Sequence, residues 1–299
     1  MFLLHTHGEA GGEGIVGFLE EVVLHGLLET LKIIPFLFLT YLLMEFIEHK
    51  ASEKAESFMK RAGVFGPCVG GLLGAVPQCG FSAAAANLYT GRVITVGTLI
   101  AVFLSTSDEM IPILVGGTVP FIKVLLIVLY KAVVAIIVGF AVDLVLRLAH
   151  KGKQEINIDE LCERDECHCE KGILYSALHH TITITVFVLI VTFAINTLVY
   201  FVGEETLGSV MHGKPVLSHL IAALVGLVPN CASSVLLARL YSEGIITVGT
   251  MLAGLFSGAG VGVLVLFKVN RHTKDNLLIL ALLIFIGAAF GLLGEIIFA

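Results

Sequence analysis

The chain contains no tryptophan and only seven prolines, and just 14% of its 299 residues are charged. An ordinary soluble domain carries about 25% charged residues, so this chain has too few to coat a water-facing surface. Against that shortage stand 57% hydrophobic residues and a mean hydropathy of +0.97. A soluble fold of this length has no interior large enough to hide so much apolar surface, which leaves lipid as the main solvent. Basic residues are not clustered with aromatics, so no nucleic-acid partner is expected. The opening "MFLLHTHGEAGGEG" lacks a basic start and a sustained apolar run, which argues against a cleavable signal peptide. No H-E-x-x-H pattern is present, so an enzyme built on His25, His179 and an acidic pair has no motif behind it. No cofactor is expected.

Cysteine is scarce as well. Of six cysteines, Cys68, Cys79 and Cys231 fall in apolar segments. Cys162, Cys167 and Cys169 share the loop "LCERDECHCEKG" with His168. That loop is basic in its flanks and reads as cytoplasmic, where thiols stay reduced. Its spacing is not a standard zinc pattern, so a solvated linker and a weak regulatory metal site both fit.

The long apolar runs are helical. Segments 18–48 and 173–202 come first on either side of a polar stretch, 150–172, and segments 121–149 and 276–298 come last. Each is long enough to cross a bilayer. Between them lie pieces of about a dozen residues, punctuated by glycine, proline and small polar residues.

Those pieces repeat. "PQCGFSAAAANLYTGRVITVGTLIAVFLS" starts at Pro77 and "PNCASSVLLARLYSEGIITVGTMLAGLFS" at Pro229, 152 residues later, with 13 of 29 positions identical. Chance does not produce that match; the halves are a duplication. Lysine and arginine orient them. Loops 50–61, 147–171 and 268–274 hold 12 of the 18 basic residues and are therefore expected on the cytoplasmic side. Their counterparts 203–214 and 116–122 carry almost none. Equivalent loops face opposite sides, so the repeats are expected to be inverted, with both termini outside. The reading is an all-α integral membrane protein with about five membrane segments per repeat. It comprises a first repeat, 1–149, a linker, 150–172, and a second, inverted repeat, 173–299. Inverted repeats joined by broken or re-entrant helices mark secondary transporters, which hold their substrate at the midplane where the helices break.

The breaks here are "VPQCG", "VPNCA", "STSDE" and "SGAGV". In "STSDE", Asp108 and Glu109 follow a long uncharged stretch; two hard oxygen donors suit a divalent cation or a proton relay. An aqueous helix end is the competing placement. The corresponding "SGAGV" has no carboxylate, as a single ion bound off the pseudo-axis would require. Gln78 and Asn230 follow the two related prolines and can offer amide oxygens to a cation or to backbone freed by proline. Cys79 and Cys231 are soft donors or small residues at tight contacts. Ser82, Ser234 and Ser105 serve either as substrate ligands or as helix–helix glue. His25 and Glu29 share one helix face at i, i+4, and His179 aligns with His25 at an offset of 154. They line a pathway or sit at the membrane interface.

Three stretches carry a resemblance: "PQCGFSAAAANLYTGRVITVGT", "FLSTSDEMIPIL" and "PNCASS" with "SGAGVGVLVLFKVN". They resemble a bacterial family of ten-span heavy-metal exporters, whose members also go by the names arsenic efflux protein and manganese transporter. The resemblance covers essentially the whole chain and implies a multi-pass exporter of the inner membrane. Combined with the acidic break, it leads to the expectation of a carrier exporting Mn(II) or a related divalent metal, proton-coupled, surrounded by lipid and compatible with a homodimer. A carrier of an oxyanion such as arsenite or phosphate, bound at helix N-termini, stays open beside it.

Overall fold

The computed structural model describes residues 65–76, 80–106, 110–116, 119–149, 173–202, 215–229, 231–270 and 272–298, with scattered positions between 23 and 42. Among these residues the chain is all helix, without strands, as the composition led us to expect. The linker cysteines and the loops 50–61 and 203–214 lie outside the described residues.

Eleven helices are named in chain order. The first five are α1 (Phe65–Gly74), α2 (Gly80–Thr90), α3 (Val96–Ser105), α4 (Met110–Gly116) and α5 (Phe121–Ala149). After the linker come α6 (Ile173–Val202), α7 (Pro215–Gly226), α8 (Cys231–Ser242), α9 (Val248–Ser257), α10 (Val261–Val269) and α11 (Thr273–Phe298). The 152-residue offset reappears in the boundaries: α3 and α9 have equivalent ends, and α5 and α11 have equivalent starts.

The repeated "ITVGT" explains why α3 and α9 begin where they do. Thr95 and Thr247 are N-caps with nearly the same backbone, φ −78 and ψ 162 against φ −78 and ψ 163. Each hydroxyl accepts the N–H three residues on, from Thr98 at 3.1 Å and from Thr250 at 3.3 Å. The turn ahead of each cap is also shared. Arg92 adopts φ 56 where the second repeat has Gly244 at φ 75, so only the first repeat forces a side chain into the left-handed region.

Burial separates two layers. Every residue of α9, and all of α3 from Gly97 onward, is buried. Both helices are apolar all round, which is what a helix enclosed by protein requires. At ten residues each they are about 15 Å long, half a hydrocarbon core. The outer layer is longer. Phe121–Leu148, Thr273–Phe298 and Ala177–Ala194 are long and apolar enough to cross a membrane and are 33–44% buried, whereas Val248–Val269, counted across its break, is 89% buried. On α5 the exposed side chains Leu125, Leu129, Val133, Ile137 and Leu144 fall on one helical stripe. Leu278, Phe285 and Ile296 do the same for α11. Such faces are stable only against lipid.

The repeats interlock. α5 packs along α3 and α11 along α9, but α10 packs on α2 and α4 on α8, each pair crossing between repeats. Lys123, in the first turn of α5, lies 5.9 Å from the Tyr241 ring, and its counterpart Asp275, in the first turn of α11, acts electrostatically on Tyr89.

Candidate functional site at the helix ends

Helix termini gather at the centre of the bundle. α1 ends so close to α3 that a Cβ at Gly74 would come within 2.1 Å of Ser105 Oγ; the equivalent atom at Gly226, where α7 ends, would come within 2.7 Å of Ser257 Oγ. At the start of α10, Gly262 packs on Ser82, near the beginning of α2. The two sequence breaks of each repeat are thereby flanked by residues that meet. The short stretch 107–109 is itself bracketed by buried residues, Thr106 at 4% and Met110 at 0% exposure.

Lys131 occupies this centre. It is completely buried, although it carries an ammonium in the middle of a helix facing lipid on its other side. Its Nζ donates to the carbonyl oxygen of Thr106, which caps the end of α3, and to that of Leu255 in the last turn of α9, at 3.0 Å. The Phe256 ring lies 5.9 Å away. Burying a charge costs several kcal/mol unless partners meet it. Two of the groups that meet it are the negative ends of helix dipoles, one from each repeat.

The opposite ends of α3 and α9 are closed by carboxylates. Asp143 Oδ1 accepts the Gly97 N–H at 2.8 Å, and Asp143 Oδ2 accepts the Thr95 hydroxyl at 2.7 Å. In the second repeat Glu295, at the equivalent position of α11, accepts the Gly249 N–H at 2.8 Å. An anion at a helix N-terminus is favourable, and the missing Cβ of the glycine lets it reach the backbone. Glu295 also lies 3.8 Å from Nε2 of the buried His219. Twelve residues separate Asp143 from Lys131, about 18 Å along α5. One spanning helix thus holds α3 at both ends.

The residues singled out in the sequence fare differently. Asp108, Glu109, Gln78, Cys79, Asn230, His25 and Glu29 lie outside the described residues. Cys231 opens α8, with its side chain likewise undescribed. Ser105 is buried at the end of α3, where its hydroxyl donates to Val102 O at 3.1 Å, and Ser82 is buried against Gly262. Ser234 is half-buried in α8. His179 is exposed and stacks on Tyr175, with ring centroids 6.4 Å apart. The histidine beside it, His180, turns inward and stacks on Tyr41 at 5.3 Å, and Tyr41 in turn donates to Asn87 at 3.1 Å. Among the described residues no three His, Cys, Asp or Glu side chains cluster as metal ligands do.

Lys131, Asp143 and Glu295 were not among the residues read from the sequence as candidates. Lys131 and Asp143 lie within one predominantly apolar span and Glu295 within another, and ionisable groups in such spans are themselves a functional signal. For Asp143 and Glu295 the 152-residue offset supplies a second signal, because both repeats carry an acid at the same place.

Residues 149–269, which run from the linker through α10, match the sequence model of a family described as 10TM heavy-metal exporters. The resemblance read from the motifs is borne out over that stretch. Neither a curated protein nor a solved structure matches the chain.

Proposed function

With the heavy-metal exporter match over residues 149–269 as premise, we propose that the chain is a proton-coupled carrier in a bacterial inner membrane that exports a divalent cation, with Mn(II) as the favoured cargo. The observation that carries the reading is the meeting of the C-terminal ends of α3 and α9 at the centre of the bundle. Two carbonyl ends directed at one place create a negative potential in a low-dielectric setting, which suits a cation. Asp108 and Glu109 follow two and three residues after Thr106 and add two hard oxygen donors. Gln78, Asn230, Cys79, Cys231, Ser82, Ser105 and Ser234 flank the same breaks and complete the proposed ligand set. His25, Glu29 and His179 are assigned to the pathway leading to it.

The mechanism follows from the layers. α3 lies along α5 and α9 along α11, and the C-terminal ends of α3 and α9 meet at Lys131. Rocking one bundle against the other opens that point first to one side and then to the other. The cargo exchanges its hydration shell for carboxylate and carbonyl oxygens, and the return step carries protons.

A second reading has its own support. The N-terminal ends of α2 and α10 also meet, at Ser82 and Gly262, and positive helix ends suit an oxyanion. Flux in proteoliposomes separates the two. Mn(II) should move against a pH gradient, whereas arsenite and phosphate should not. Oxyanion flux without Mn(II) flux would sink the metal reading. The Asp108→Asn and Glu109→Gln variants should each lose Mn(II) binding, because the amide keeps the shape but not the charge that offsets the metal's desolvation.

A further inference from the structure

We propose that Lys131 is a resident cation of the carrier, its ammonium group and the transported metal taking turns at the joined carbonyl ends of α3 and α9. The inference rests on the reading of the cargo as a cation.

Each helix C-terminus carries roughly half a negative charge. Two together make about one, and a single ammonium offsets that share of the negative charge at the site. Lys131 supplies that ammonium at zero exposure, with hydrogen bonds to a carbonyl from each repeat. The arrangement is one-sided: the equivalent of Lys131 in α11 is Leu283, also completely buried. The pair of helix ends therefore has one built-in cation, not two. A divalent ion arriving within about 4–5 Å of an ammonium in a medium of low dielectric meets strong repulsion. It binds only as the lysine yields its carbonyl partners. In the empty carrier the lysine keeps the two ends joined across the repeat boundary, and its return expels the metal. The same contact therefore holds the scaffold and sets the affinity, making Lys131 a positioning residue that weakens binding to a value compatible with release.

The test is Mn(II) binding to the full chain in detergent, followed by electron paramagnetic resonance of the free ion. Lys131→Met should bind Mn(II) at least tenfold more tightly than wild type, and Lys131→Arg, which keeps the charge, should not bind more tightly. A merely structural role for Lys131 does not produce tighter binding. If Lys131→Met does not fold, Lys131→Gln carries the same expectation, since its amide still donates to one carbonyl. Unchanged or weaker Mn(II) affinity in a folded neutral variant, with wild type binding normally, overturns the inference and leaves the cargo reading intact. Absence of binding to every chain, wild type included, overturns the cargo reading and this inference with it.

Discussion

The buried half-helices α3 and α9 both end on Lys131, which belongs to the first repeat and has Leu283 as its equivalent in the second; α3 is followed by Asp108 and Glu109, and α9 by Gly260 and Val261. The two half-helices have the same length, the same threonine cap and a carboxylate at the same distance from the first turn. Their N-terminal ends agree in charge and their C-terminal ends do not. Duplication thus supplied the frame twice, while the charged chemistry sits on one copy only. On the proposed reading, a symmetric frame would give two equivalent routes to the centre, and the asymmetric charge set would place one ion, not two, between them.

The comparison breaks most completely if the repeats are not inverted. A cysteine placed at Ser209 should react with an impermeant thiol reagent from outside, and one at Ser52 should not, in a chain whose native cysteines are replaced. Both positions lie outside the described residues, so the expectation comes from loop charge. Reaction of both from one side would end the inverted reading.

The next largest effect should come from the glycines behind the caps. A Cβ at Gly97 would lie 2.2 Å from the backbone oxygen of Gly139 and 2.5 Å from the Asp143 carboxyl carbon. At Gly249 the nearest atom, at 2.3 Å, is the far end of Glu295, with Gly291 O at 2.7 Å. A carboxylate tip can swing away more easily than a backbone carbonyl. Gly97→Ala should therefore destabilise by about 3 kcal/mol and Gly249→Ala by about 2 kcal/mol, within the range for overpacking. Melting in detergent reads both. A larger loss at Gly249 would mean that α11 yields less than α5.

The frame was largely legible in the sequence, and the physical reason is local. Thr95 and Thr247 announce helix starts through a hydroxyl that reaches three residues along, and the apolar runs of α5 and α11 declare their length directly. The centre was less legible. Lys131 acts through carbonyls of Thr106 and Leu255, 25 and 124 residues away, and no periodicity in one helix reports such partners. His179 and His180 show the same limit at finer scale. Two adjacent histidines differ by about 100° around a helix, and only packing against Tyr41 decides which one enters the core. The interlocking of α2 with α10 and α4 with α8 likewise depends on long-range contact.

The carboxylate caps sharpen the comparison further. Asp143 is 8% exposed and serves two donors, so Asp143→Ala leaves a backbone N–H and a hydroxyl without their acceptor in a dry setting. That should cost about 2 kcal/mol. Glu295 has a side chain 33% exposed, and water can replace it at Gly249. Glu295→Ala should cost about 1 kcal/mol or less, after allowance for solvent screening. Equal losses in thermal melts would show that exposure at Glu295 does not admit water to the α9 terminus.

The smallest expected difference separates frame from site most cleanly. Ser257 lies at the end of α9 and donates across to Ala223 O at 2.6 Å, with Gly254 O at 2.9 Å as an acceptor in its own helix. Ser105, its equivalent, donates to Val102 O within α3, and that carbonyl also receives the Thr106 N–H at 3.0 Å and the Thr106 hydroxyl at 2.7 Å. Loss of a hydroxyl that ties two helices costs about 1 kcal/mol. Ser257→Ala should therefore lower the melting temperature and leave Mn(II) affinity unchanged. Ser105→Ala should weaken Mn(II) binding severalfold, because its oxygen lies in the repeat that carries the charges. The reverse pattern, affinity lost at Ser257 and kept at Ser105, would place the ion against the uncharged repeat and make Lys131 part of the frame alone.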